Sequence, residues 1–266
     1  MWRRKRLTLL ILSALSVGLL VQPVAAQTDA GAVDTTLLDD PTAANRILYE
    51  QGVVDGFGHV SVRHPTDPTH FFMAHSMAPA LVTSADILEC DLQGEPLEAK
   101  GRAVYLERFI HSALYKVRPD IQAVVHSHSP VVIPFGVTTV PLKPLYHMSS
   151  FLGTGVPVFD MRQSAGDTDM LMRTPQLGEA LAAALGDKTV VLMRGHGAVA
   201  VGDSLIEGVF RAVYTEINAW LQAEALKLGP VTYLTPAEAS LSMRTNKGIQ
   251  ARAWELWKRK VMAAHP

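Results

Sequence analysis

The run Lys188-Thr189-Val190-Val191-Leu192-Met193 constrains the fold more than any other stretch of this chain. It ends in four successive apolar residues with no polar alternation, the mark of a strand covered on both faces rather than one with a wet side. Such a strand needs helices above and below its sheet. The chain supplies them. Asp40-Pro41, a capping side chain followed by proline, predicts a helix to Gln51. Ala103, Glu107, Ile110, Leu114 and Val117 recur at spacings of three and four, which predicts a helix over 102–117. Further helices are expected over 177–185, from Ser204 to Leu228 before Gly229-Pro230, and over 245–263 with Trp254 and Trp257. Extended segments are expected at 59–64, 70–74, 87–92 and 121–128. Strands alternating with helices indicate an α/β protein.

The 121–128 strand carries the first sign of chemistry. His126 and His128 are two apart, so in an extended chain they share a face, roughly 6.6 Å apart along the strand, while Ile121, Ala123 and Val125 take the other. The apolar 188–193 strand ends at Arg194-Gly195-His196-Gly197-Ala198, where flanking glycines let His196 project from a sharp bend. Glu107 is the single acid on its apolar helical stripe, and a buried carboxylate there needs a partner. It is either a ligand or a half-exposed acid paired with Arg108. Three imidazoles and one carboxylate suit one divalent ion, zinc first with iron or manganese as alternatives, better than magnesium or calcium, which prefer oxygen throughout.

Residues 1–26 read as a secretory signal: Arg3, Arg4, Lys5 and Arg6, an apolar run from Leu7 to Val21, then small residues before Gln27. The apolar run is shorter than the roughly 20 residues that span a bilayer, so cleavage and export to the periplasm or medium are expected, with no membrane attachment afterwards. Residues 27–39 read as a flexible leader and 40–266 as a single domain. Loss of the four positive charges takes the formal net charge from −1 to −5. No basic stripe is present for nucleic acid. Cys90 is the only cysteine, so no intrachain disulfide and no multi-cysteine metal site can form.

Glu107 nineteen residues before His126, the phrase Arg118-Pro119-Asp120 ahead of Ala123-Val124-Val125-His126-Ser127-His128, and Gly195-His196-Gly197 together resemble the class II aldolase/adducin family. The resemblance spans about 43–228. It implies a three-layer α/β/α sandwich with a mixed central sheet, metal ligation by Glu107, His126, His128 and His196, and a homotetramer with sites near subunit contacts. Sugar-phosphate members of that family cradle phosphate with a Gly-Asn pair, a Thr-Pro-Ser-Gly-like segment and a Ser-Ser pair. This chain has Gly58-His59, Met73 to Pro79 and Tyr105-Leu106 at those places. An unphosphorylated small-molecule substrate follows, with His59, His75, Ser76, Met77 and Leu106 shaping the altered wall; His59 and His75 could equally serve only to pack. The resemblance also brings Tyr146 or His147 to about the place of a proton donor supplied by a neighbouring subunit. Arg108 and Arg194 either receive a substrate carboxylate or form structural ion pairs.

A site of this kind is suited to a divalent-metal-dependent lyase that cleaves a carbon–carbon bond, by aldol cleavage or decarboxylation, in a hydroxy-carbonyl or hydroxy-acid substrate through a stabilised enediolate. Glu107 is expected to carry a proton, its apolar surroundings raising its affinity for one. Two other readings stay open: a non-haem iron oxidoreductase on the same ligands, and a non-catalytic association module like the adducin head.

Overall fold

The computed structural model describes residues 36–264. The signal segment and most of the leader lie outside them. Seven strands form one sheet: β1 (His59–Arg63), β2 (His70–Ala74), β3 (Ile87–Asp91), β4 (Ala123–Ser127), β5 (Val158–Phe159), β6 (Val190–Met193) and β7 (Gly197–Gly202). Their order is β3-β2-β1-β4-β7-β6-β5. The β5–β6 pairing is parallel and the others are antiparallel, so the sheet is mixed.

The helices are α1 (Thr36–Glu50), α2 (Arg108–Val117), α3 (Ile133–Val137), α4 (Arg162–Ala165), α5 (Pro175–Leu185), α6 (Leu205–Leu228), α7 (Pro236–Lys247) and α8 (Gln250–Ala264). Strand β6 shows why they lie on both sides. Its Val190 and Leu192 join Ile47, Val125, Phe210 and Trp254 in one core under α1, α6 and α8. Its Val191 and Met193 join Ile110, Leu114, Leu181 and Val199 in the other, under α2 and α5. Each fully buried Val, Leu or Ile contributes about 1.5–3 kcal/mol, so the sheet is held from both faces. Among the described residues no helix is long and apolar enough to cross a membrane.

Three boundaries differ from the sequence reading. Helix α1 begins at Thr36, not Asp40, so Pro41 lies inside it. Leu38 supplies the reason: it packs with Phe72, Ala74, Val82 and Ile87, which draws the preceding turn into the helix. Helix α2 begins at Arg108, not Arg102. Residues 102–105 are held instead by the 76–86 segment, through Ser76 N–H to Ala103 O at 2.8 Å and Tyr105 OH to Met77 O at 2.5 Å. Ala103 therefore leaves the stripe, and Val117 is exposed at the helix end. The expected helix over 245–263 is α8, which begins at Gln250; residues 245–247 instead close α7, and Gly248 parts the two.

Candidate active site

Strand β4 sits between β1 and β7, which pairs His126 with His59 on one side and Val199 on the other. His126 is fully buried. Its Nδ1 lies 3.1 Å from Ala198 O and donates there, which leaves the Nε2 lone pair free. His128 stands just past the strand end, its Nε2 3.1 Å from that of His126. His196 arrives from the β6–β7 hairpin, Nε2 to Nε2 of His128 at 3.0 Å. Glycine at 197 permits this approach, since a Cβ there would overlap the Ser127 carbonyl oxygen and stand 3.2 Å from the His128 Cα.

Glu107 completes the group. It is the residue immediately before α2, and Met172 N–H holds its Oε1 at 2.9 Å. Its Oε2 lies 3.4 Å from His126 Nε2 and 3.8 Å from His128 Nε2, and its Oε1 lies 3.4 Å from His196 Nε2. One donor atom from each of the four falls within 4.8 Å of all the others. Imidazoles bound about 2.0–2.1 Å from one ion at angles between 90° and 109° would have nitrogens about 2.8–3.4 Å apart, and the His126–His128 and His128–His196 spacings of 3.1 and 3.0 Å match. The donor set thus fits a divalent ion.

Electrostatics correct one expectation. Burial raises the Glu107 carboxyl, but the imidazoles of His126, His128 and His196 gathered around it outweigh burial and hold the group well below the usual carboxylate range. Glu107 is an anion in this arrangement, not an acid with raised proton affinity. His59 and His111 behave in the opposite way. Both are buried, and burial first, then neighbouring histidines, depress them well below the ordinary histidine value, so they are neutral.

A pH prediction follows from these two. Above about pH 6.5 they are neutral folded or unfolded and cost nothing; below it the unfolded chain gains protons that the folded one refuses. Stability should therefore fall on acidification from about pH 6.5, by up to about 1.4 kcal/mol per pH unit for each histidine. Urea denaturation from pH 8 to pH 5 checks this, and His111→Phe should flatten the slope.

A cleft of about 380 Å³ opens over the cluster. Glu107 and His128 border it, with Phe57, Gly58, His59, Ser76, Met77, Tyr105, Leu106 and Leu171 around them. Among the described residues neither lysine nor arginine lines it. Gly58 brings its loop down onto β4: with φ +95° it takes a conformation open to glycine, and a Cβ would stand 3.0 Å from His126 O.

Not every expected residue gathers here. His59 and Ser76 line the cleft, but His75 turns to Asp86, 3.2 Å away. Arg108 donates to Gly94 O at 2.6 Å and to Glu95 at 2.8 Å, and Arg194 pairs with Asp160 at 2.9 Å. Both arginines are in structural contacts and neither lines the cleft. Tyr146 packs beside His147 and Tyr214, with ring centroids 6.0 and 6.5 Å away, outside the lining of this chain's own cleft. Sequence reasoning missed Phe57 and Leu171, which lie in loops without periodicity. It also missed His111, Ser61 and Tyr115 behind His59, although His59/Ser61 two apart on a strand and His111/Tyr115 four apart on a helix are readable spacings.

A three-layer α/β fold with a Glu–His₃ group at the edge of a small apolar cleft defines a carbon–carbon lyase of the class II aldolase type. The chain belongs to the family described as the Class II Aldolase and Adducin N-terminal domain, whose family model matches residues 40–223. Among curated relatives, it is 38% identical over 239 residues to the decarboxylase tropJ of Talaromyces stipitatus, covering 81% of this chain and 90% of that one. It is 31% identical over 218 residues to the 3,4-dihydroxyphthalate decarboxylase of Arthrobacter keyseri, covering 76% and 82%. Of solved structures, L-fuculose 1-phosphate aldolase from Glaciozyma antarctica superposes with a TM-score of 0.72 at 24% identity, over 86% of this chain and 90% of that one, which is a likeness of fold.

Proposed function

We propose that the protein is a divalent-metal-dependent decarboxylase acting on a small, unphosphorylated, hydroxylated aromatic acid. The observation that carries this is the cleft: its wall is apolar and partly aromatic, without lysine or arginine, directly beside the Glu–His₃ group. A sugar phosphate would need cationic or clustered hydrogen-bonding partners there. A flat ring needs none, and Phe57, Met77, Tyr105 and Leu171 offer it apolar contact. The decarboxylase relatives support the same choice over aldol cleavage.

Glu107, His126, His128 and His196 would hold the ion, which when bound supplies a Lewis acid for negative charge developing on a substrate oxygen. The rest falls to the chain. The apolar wall excludes water and strips the substrate carboxylate of hydration, which favours its departure as uncharged CO₂. The carbon left behind needs a proton. Glu107, engaged in holding the ion, would not be free to supply it. A donor from outside the cleft is therefore required, and Tyr146 or His147 of a neighbouring copy in a homotetramer fills that role in our reading. Tyr146 is only half-buried in the single chain, and a phenol is protonated at neutral pH, so it has a proton to give.

Incubation with mono- and dihydroxybenzoic and phthalic acids under strict anaerobiosis tests the proposal. CO₂ release without an aldehyde product is expected; dependence on O₂ would replace it with iron-dependent oxidation, and an aldehyde with aldol cleavage. We also propose export, on the basic and apolar character of residues 1–26. Intact-mass analysis of protein recovered from the cell envelope should place the mature N-terminus at Gln27, and a mass that retains Met1 to Ala26 would contradict it.

A further inference from the structure

A buried polar chain leads away from the cleft wall. His59, which lines the cleft, commits its Nδ1 to His111 Nε2 at 2.7 Å. His111 Nδ1 lies 2.6 Å from Ser61 Oγ, and Ser61 Oγ lies 2.8 Å from Tyr115 OH. All four residues are buried, His111 completely. Two periodicities build the chain: His59 and Ser61 share a face of β1, while His111 and Tyr115 share a stripe of α2. Arg63 anchors the far end, its guanidinium 4.7 Å from the Tyr115 ring centroid and donating to Tyr115 O at 2.9 Å.

A buried network of this kind adds little net stability over apolar filling, but it fixes orientation. Its one end open to a ligand is His59 Nε2, because Nδ1 is taken. We propose that His59 Nε2 hydrogen-bonds a substrate hydroxyl adjacent to the atoms held at Glu107, His126, His128 and His196, and that His111, Ser61 and Tyr115 are positioning residues that set its ring and tautomer.

A hydroxyl is the matching group. Every member of the chain can give or take a hydrogen bond, so the chain has two proton orders with the same number of protons. One presents Nε2–H to the cleft and the other presents the Nε2 lone pair. A hydroxyl, donor and acceptor at once, fits either order, whereas an ionised carboxylate or phosphate, an acceptor only, fits just the order that presents Nε2–H. The His59 and His126 ring centroids are 5.0 Å apart, so the hydroxyl met by His59 stands within a bond or two of the substrate atoms at the cluster. The substrate class is then an aromatic acid with adjacent hydroxyls. This inference rests on the decarboxylase reading.

The test uses the full chain, its bound metal quantified in every variant, with a vicinal dihydroxyaromatic acid and the analogue lacking one hydroxyl. The wild type should prefer the dihydroxy acid by about 10–100-fold in kcat/KM. His59→Phe should abolish that preference, and His59→Gln, which places an amide nitrogen near the Nε2 position, should restore part of it. Tyr115→Phe removes a single oxygen and should weaken the preference about two- to fivefold while sparing turnover of the analogue. Metal content should be the same in all.

An undiminished preference in His59→Phe overturns the proposal, as does a preference lost together with the metal. An unchanged preference in Tyr115→Phe overturns the positioning role. If the wild type decarboxylates neither acid, the decarboxylase reading has failed on its own; calorimetric binding of the two acids then reads the same preference, and equal affinities overturn the His59 assignment.

Discussion

His126→Ala is expected to lose bound divalent metal and to lower kcat/KM at least about a thousandfold, the roughly 4 kcal/mol that a Lewis acid at the developing charge supplies. The size of the effect follows from geometry. His126 is the fully buried member of the group, its Nδ1–H tied to Ala198 O and its Nε2 directed to both His128 and Glu107. Glu107→Gln gives a cleaner counterpart, since it keeps the shape and an oxygen for Met172 N–H but removes the charge that balances the ion. Both should remain folded by circular dichroism while metal stoichiometry falls. Retention of metal and activity by both would remove these residues from the site.

The second large effect is on stability. Gly197→Ala is expected to cost at least about 3 kcal/mol, because the new methyl meets backbone that cannot swing aside: the Ser127 carbonyl and the His128 Cα, 3.2 Å away. For a domain of this length that lowers Tm by about 6–12 °C. The β4–β7 pairing must open to admit the methyl, which moves His196 away from His128, so metal affinity should fall with Tm. Gly56→Ala is the control for stability, since a Cβ there meets nothing within 4 Å. Calorimetry on the two variants separates a close approach from a general intolerance of substituted glycines; equal Tm values would show that the strands can part at no cost.

The same region of the sheet shows what the sequence could and could not say. β6 was legible because a strand inside a covered sheet must be apolar on both faces, a demand written directly into Val190 to Met193, and β4 because Ile121, Ala123 and Val125 alternate with His126 and His128. β7 was not. Gly197-Ala198-Val199-Ala200-Val201-Gly202 is equally buried, yet its small residues read as a glycine bend. Its identity as a strand comes from β4 and β6 lying close on either side, a tertiary fact. Helix α7 escapes the sequence reading for a different reason. Thr235-Pro236 with Glu238 forms a capping box that local reading could have found.

The candidate site divides along the same line. Its three histidines were legible because His-x-His on a strand and Gly-His-Gly at a bend are local patterns. Glu107 lies beside the histidines, but not for the local reason the stripe offered. The stripe that put it in a helix breaks at Arg108, and its carboxylate reaches the histidines from the residue before that helix, steered by Met172 N–H. Its protonation was misread as well, since the sequence shows apolar neighbours but not three imidazoles converging on one carboxylate. The two spacings of the His59–His111–Ser61–Tyr115 chain were readable, but that they meet is a fact of β1 facing α2.

One measurement tests the central claim most directly: anaerobic CO₂ release from a vicinal dihydroxyaromatic acid by the purified protein, before and after removal of metal by a chelator and again after adding back zinc, manganese or ferrous iron. The account predicts release by the protein as isolated, loss of at least about a thousandfold on chelation, and recovery with one of the three ions. Undiminished CO₂ release from protein stripped of metal would contradict it.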